Sequence, residues 1–177
     1  IPDYMKKDDV IVVYTPAIPD DNIFLKYFRK NGNNQIYKRS EMLGEISRQS
    51  KCIAVAGTHG KTTTSAIISH LFHSSGIHFK AFIGGIMKCF DSNFINTGND
   101  YIIVEADEYD RSFLNLNPNY AVITSIESDH LDIYGDLKSL VESFQSFTNN
   151  VKDVLITDAD IDICLLYTSD AADEKVR

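Results

Sequence analysis

Apolar residues in this chain fall into two recurring kinds of segment. "DVIVVYTPAI" (9–18) is a β-branched run stopped by proline, which predicts a buried strand leading into a loop. "DNIFLKYFRK" places its apolar residues at helical spacing, and "NGNN" breaks it. "QIYKR" predicts a short strand, and Ser40 is the expected N-cap of a helix over "EMLGEISRQ". "KCIAVAG" predicts a strand, and "TTTSAIISHLFHSSG" a helix that stops at Gly76. The second half repeats the alternation. "FKAFIGG", "YIIVEAD", "YAVITSI" and "DVLITD" predict strands, "LKSLVESFQSFTNN" predicts a helix, and "MKCFDSNFINTGND" is a polar connection. Strands that are apolar throughout suit a parallel sheet covered on both faces. Their alternation with helices predicts a doubly wound, mostly parallel α/β fold with helices on both faces. A boundary is expected near residues 40–50, between a first α/β unit and a second.

Bulk composition narrows the function classes. The chain has 177 residues, of which 44% are hydrophobic and 24% charged, so a packed core is within reach. A formal net charge of −8 argues against a nucleic-acid groove, and no apolar run approaches a membrane span of about 18 residues. Cys52, Cys89 and Cys164 are odd in number and form no C-x-x-C pair. They read as thiols of a reducing compartment, and a zinc site is not expected. "IPDYMKKDD" carries neither an initiator Met nor a leader pattern, so the chain reads as a fragment that opens within a longer protein.

The candidate chemistry starts at "IAVAGTHGKTTTSA" (53–66). A phosphate cradle needs a glycine-rich backbone whose N–H groups converge, a lysine for the β/γ oxygens and a hydroxyl for Mg²⁺. It also needs a place between a buried strand and a helix N-terminus. Gly57, Gly60, Lys61 and Thr62 meet those requirements, but Val55 stands where the full G-x-x-x-x-G-K-[ST] pattern has glycine. The bland alternative is a strand-to-helix glycine turn beside an exposed lysine. A magnesium–phosphate site also calls for an acid at a neighbouring strand end. "YIIVEADEYD" offers Glu105 there, followed by Asp107, Glu108 and Asp110. "AVITSIESDHLD" repeats the arrangement with Asp129, His130 and Asp132. Taken singly, such acids are solvated loop residues and such a histidine is structural; together they mark one end of one sheet.

"GTHGKTTTSA", "VEADEYDRSFLNLNP" and "AVITSIESDHLDIYGD" together resemble the central domain of the Mur ligases, over about residues 9–157. The resemblance is strongest to members that add L-alanine to UDP-N-acetylmuramate. The G-x-x-G-K-T loop without its first glycine is the form this family carries. "DVIVVYTPAIPDDN" and "YKRSEMLGEI" resemble the end of the family's first, UDP-binding, Rossmann-like domain. The resemblance implies a cytoplasmic, ATP- and Mg²⁺-dependent ligase that works through an acyl phosphate. It implies that Gly57, Thr58, His59, Gly60, Lys61, Thr62 and Thr63 bind the nucleotide phosphates. It further implies that Thr62 and Glu105 ligate Mg²⁺ and that His130 helps hold a second Mg²⁺. Asp107, Arg111 and Ser112 fall in the acidic motif near the substrate.

On this reading residues 1–45 end the UDP-binding domain and 46–164 form part of the ATP-binding domain. The segment 165–177, "LYTSDAADEKVR" and the residue before it, is expected to be a non-native tail. The family's adenine-side asparagine motif and amino-acid domain do not occur in the sequence, so the chain alone is expected to be inactive. Gln145 stands where some relatives carry a carbamylated lysine. Three rivals stay open: a ligase that attaches a recycled tripeptide to the same acceptor, a folylpolyglutamate synthase, and a nucleotide-binding module without catalysis.

Overall fold

The computed structural model describes residues 2–3, 10–31, 35–127, 134–158 and 161. The chain divides into two compact units, Ile1–Ile46 and Ser47–Arg177. In the first, β1 (Ile11–Tyr14) and β2 (Gln35–Lys38) pair in parallel, joined by helix α1 (Ile23–Asn31). The Asn22 side chain caps α1, accepting the N–H groups of Phe24 and Leu25 at 2.9 and 3.2 Å, while Leu25 and Phe28 are buried. Helix α2 (Arg39–Ser47) begins two residues earlier than Ser40 as N-cap requires, so Ser40 lies inside it. The Glu41 carboxylate instead accepts the Lys38 N–H at 2.7 Å, the reciprocal half of a capping box.

The second unit is built on a six-stranded sheet in the order β5-β4-β6-β3-β7-β8. Its strands are β3 (Lys51–Ala56), β4 (Phe79–Met87), β5 (Ser92–Asn96), β6 (Tyr101–Glu105), β7 (Tyr120–Ile123) and β8 (Val154–Thr157). All neighbours pair in parallel except β4 and β5. From β3 the chain first builds to one side (β4, β6), then crosses to the other (β7, β8). A doubly wound sheet has its switch point at such a reversal, and ligands gather there at the carboxyl ends of the strands.

Strand β5 corrects the expectation of a purely polar connection over 87–100. It forms an antiparallel edge against β4, with Ala81 opposite Ile95 and Phe82 opposite Phe94. Only Ile95 of this strand is buried, so the sequence lacks the continuous apolar run that marks its parallel neighbours.

Helix α3 (Lys61–Ser74) ends as its sequence predicts. Gly76 adopts φ 70°, its N–H reaches the His73 carbonyl, and the Ile77 N–H reaches that of Phe72, which is a Schellman closure. Ala66, Ile68 and Phe72 of α3 pack on Ile53, Phe79, Ala81 and Ile103 of the sheet. Strand alternation sends Cys52, Ala54, Ile102 and Val104 to the opposite face, and all four are fully buried, so both faces are covered. Burial pushes the Cys52 thiol up to about 12, which leaves it inert.

A 3-10 segment (Tyr109–Asn115) packs on helix α4 (Leu137–Thr148), where the Phe113 ring stacks on Phe147 and meets Phe144 edge-on. Asp136 caps α4, its carboxylate accepting the Ser139 N–H at 2.7 Å. That bond lowers the Asp136 pKa below its ordinary 3.8. A lowered folded pKa means the cap contributes above the unfolded value and is lost as pH falls through the folded one. Asp136→Ala therefore lowers the melting temperature at about pH 6, and the gap to wild type closes toward about pH 2. An equal gap at both pH values would show that the carboxylate is not the capping group.

Candidate active site

Strand β3 ends at Ala56 and α3 begins at Lys61, so residues 57–60 form the turn between them. Gly60 is the helix N-cap and no side chain caps this end. The Thr64 N–H makes the first helical bond, to the Gly60 carbonyl. Helix geometry thus leaves the N–H groups of residues 60–63 without an acceptor one turn back, at the positive end of the helix. Such an end receives anions.

The rest of the turn is held by the segment after β7. The Thr124 hydroxyl donates to the carbonyls of Ala56 (3.1 Å) and His59. The Ser125 carbonyl accepts the Thr58 N–H at 3.0 Å, and its hydroxyl accepts the His59 N–H at 3.0 Å. The Thr58 hydroxyl lies 2.9 Å from that of Ser125 and accepts the Glu127 N–H at 3.1 Å. Two of the seven loop residues assigned to phosphate, Thr58 and His59, thus spend their N–H groups on Ser125. Thr124 and Ser125 were not singled out from the sequence. Their signal was only the polar pair that ends an apolar strand.

Lys61 points back along the loop. Its Nζ donates to the Gly57 carbonyl (2.7 Å) and to both carboxylate oxygens of Glu108 (3.0 and 2.8 Å). Glu108 is fully buried and the Lys61 side chain is 16% exposed. Tyr134 buttresses the arrangement, its hydroxyl donating to the Glu108 carbonyl. Burial beside Glu108 raises the Tyr134 pKa, so the phenol stays a donor. Glu108 is the site residue that sequence reasoning passed over in favour of Glu105.

Glu105 ends β6, beside β3, with its Cα in register with Val55. Its Oε2 accepts the Thr62 hydroxyl at 3.2 Å. Its Oε1 is buried and has no hydrogen-bond partner among the described residues. A side chain at Gly84 of β4 would come within 2.8 Å of Oε2, so glycine there keeps the room around the carboxylate. An orphaned carboxylate oxygen next to a threonine hydroxyl is a hard-oxygen pair that fits Mg²⁺, a cation that keeps waters and takes its other ligands from phosphate. Among the described residues no cluster of three or more His, Cys, Asp or Glu offers a self-sufficient metal cage.

The acidic motif continues into the 3-10 segment. The Asp107 carboxylate accepts the Tyr109 N–H at 3.1 Å, so this acid shapes the turn. Asp110 and Arg111 adopt φ 53° and 54°, left-handed conformations that cost non-glycine residues energy and concentrate at functional sites. The Arg111 guanidinium lies 5.6 Å from the Tyr134 ring centre. The Ser112 carbonyl accepts the Asn115 amide at 3.2 Å. The structure therefore brings Lys61, Thr62 and Glu105 to one end of the sheet. His130, with Asp129 and Asp132, lies outside the described residues, as does the tail at 165–177.

Comparison with known proteins bears on this site. The model of the Mur ligase middle domain matches residues 55–177. A UDP-N-acetylmuramate–L-alanine ligase of Cytophaga hutchinsonii is 45% identical over 166 residues, covering 90% of this chain and 35% of that protein. The enzyme of the same name from Christiangramia forsetii is 49% identical over 145 residues, covering 82% and 32%. The chain thus spans about a third of the length of these relatives. Among solved structures, the UDP-N-acetylmuramate-alanine ligase of Thermotoga maritima superposes with a TM-score of 0.73 at 30% identity, covering 85% of this chain and 35% of that one. A Neisseria ligase for L-alanyl-γ-D-glutamyl-meso-diaminopimelate, at 22% identity and a TM-score of 0.72, shares the fold.

Proposed function

The chain belongs to the Mur ligase family, through that family's middle domain, and from this premise we propose that it is the nucleotide-handling part of an ATP-dependent ligase joining L-alanine to the lactyl carboxylate of UDP-N-acetylmuramate. The observation that carries the ATP-binding part is the open helix N-terminus at Gly60–Thr63, with Lys61 on one side and the Thr62–Glu105 pair on the other. The choice of acceptor and amino acid rests on the relatives' activity, 45–49% identity being well above what fold alone supports.

A carboxylate resists amine attack until one of its oxygens becomes a leaving group. Transfer of the γ-phosphoryl group supplies that, giving an acyl phosphate whose carbonyl the alanine amine attacks as phosphate departs. The chain's own contribution is to gather and screen anions. The N–H groups of residues 60–63 hold the β/γ oxygens, and Lys61 adds a full positive charge. Thr62 and Glu105 would hold Mg²⁺, which when bound neutralises charge between the phosphates. By its motif His130 would serve a second Mg²⁺. Thr124 and Ser125 keep the loop open by holding its carbonyls and lower amides. Among the described residues no helix is long and apolar enough to cross a membrane, and we assign the reaction to the cytoplasm, where ATP and nucleotide sugars are available.

The test is a phosphate-release assay on the full-length ligase that contains this chain, with ATP, Mg²⁺ and UDP-N-acetylmuramate. Release should require L-alanine. Release that requires the tripeptide instead would move the protein to the recycling ligases, and no release with either amine would leave only a nucleotide-binding module.

A further inference from the structure

Lys61 poses a problem for the reading above. An ammonium has three N–H donors, and here three acceptor atoms already lie within 3.0 Å of Nζ: the Gly57 carbonyl and both oxygens of Glu108. The lysine that should meet phosphate is saturated before phosphate arrives. Its anionic partner is not a mobile surface acid. Glu108 is fully buried, and its backbone is held by the Tyr134 hydroxyl on its carbonyl and by the Arg111 N–H on the same atom at 2.9 Å. The strained pair Asp110–Arg111 follows after Tyr109, so the turn is bent to deliver Glu108 inward.

We propose that Glu108 is a positioning residue that competes with nucleotide phosphate for Lys61: it holds the ammonium against the Gly57 carbonyl in the empty loop and gives up part of that contact when nucleotide binds. The proposal rests on the reading of the loop as a nucleotide site. Two consequences follow from electrostatics alone. An incoming phosphate must displace at least one Lys61 hydrogen bond, and it meets an ammonium whose charge Glu108 already offsets. Both weaken binding of any anion that brings nothing else. A nucleotide gains the N–H groups of residues 60–63 and a cation at Thr62–Glu105 in compensation, while free phosphate gains less. Glu108 thus keeps the loop from filling with stray anions while holding Lys61 at the loop.

Glu108→Gln separates these effects, because the amide keeps the shape and one acceptor but loses the charge. Calorimetric titration of the full-length ligase that contains this chain with ATP and Mg²⁺, and separately with inorganic phosphate, gives the readout. The variant should bind ATP more tightly, on the order of tenfold, and should gain phosphate affinity by a larger factor. In a Lys61→Met background the same substitution should alter ATP affinity by less than about threefold, because the competition runs through Lys61. Where the buried amide prevents folding, Glu108→Met fills the same site and carries the same comparison. Weaker or unchanged ATP binding by Glu108→Gln overturns the proposal, as does an equal gain in the Lys61→Met background. A wild-type full-length ligase that binds no nucleotide at all overturns the nucleotide-site reading itself, and this inference with it.

Discussion

Lys61→Met should leave the chain with at least tenfold weaker affinity for ATP and Mg²⁺ and should also destabilise the fold. The two losses have different origins. Hydrogen bonds from an ammonium to phosphate contribute about 1.5–3 kcal/mol, which sets the binding loss at roughly ten- to a hundredfold. The stability loss comes from the other side of the pair. Glu108 is fully buried and loses the cation that holds both its oxygens. Breaking a buried ion pair from one side costs about 3 kcal/mol or more. Denaturant titration of Lys61→Met, Glu108→Gln and the double variant distinguishes the contributions. The double variant should recover most of the stability lost by Lys61→Met and little of its nucleotide affinity. Equal stability of Lys61→Met and wild type would show that Glu108 does not depend on Lys61, and the close contact would carry no energetic weight.

Gly57→Ala should be nearly as damaging, through sterics. Gly57 lies at φ 132°, where an L side chain is strained, and its added Cβ would stand 2.1 Å from the Thr124 hydroxyl oxygen and 2.9 Å from the Ser125 N atom. Neither neighbour can give way cheaply, since Thr124 holds the Ala56 and His59 carbonyls and Ser125 holds Thr58 and His59. Backbone strain and overpacking of this kind together cost about 3 kcal/mol. The chain escapes by moving the loop off β7, which removes the phosphate site as well. A melting curve and an ATP titration on Gly57→Ala should therefore both deteriorate. Adding Thr124→Ala relieves the worst clash but not the φ strain, so the pair should recover only part of the loss. Full stability of Gly57→Ala alone would mean that the loop tolerates a different path.

How much of this was legible beforehand depended on range along the chain. The strand–turn–helix around Lys61 was readable because each of its signals is local: a buried parallel strand must be apolar throughout, the turn needs glycine, and α3 starts right after Gly60, its apolar stripe following the threonines of its first turn. The same holds for Glu105, the last residue of an apolar run, and for the Gly76 stop. Strand β5 was hidden because an edge strand needs only one buried residue, Ile95, and its pairing with β4 is a contact between segments. Ser40 misled because a good capping residue carries no record of where the helix begins, and Glu41 made the capping bond instead.

The acidic motif shows the division most clearly. Its sequence by itself determined that four carboxylates, Glu105, Asp107, Glu108 and Asp110, follow the end of a buried strand. A strand end at the switch point of a parallel sheet is where anions and cations are handled. Which acid does what was decided by the tertiary structure. Past Glu105 the two-residue alternation of the strand ends, so direction can no longer be counted off. Asp107 turns to the Tyr109 N–H, and the left-handed Asp110–Arg111 pair bends the chain. Tyr134, 26 residues away, fixes the carbonyl of Glu108, whose carboxylate enters the core against Lys61. Local pattern sets what a residue can be, since propensity and burial act over a few neighbours. Partnership between residues 61 and 108 comes only from packing β3 against β6, and no short-range rule carries that distance.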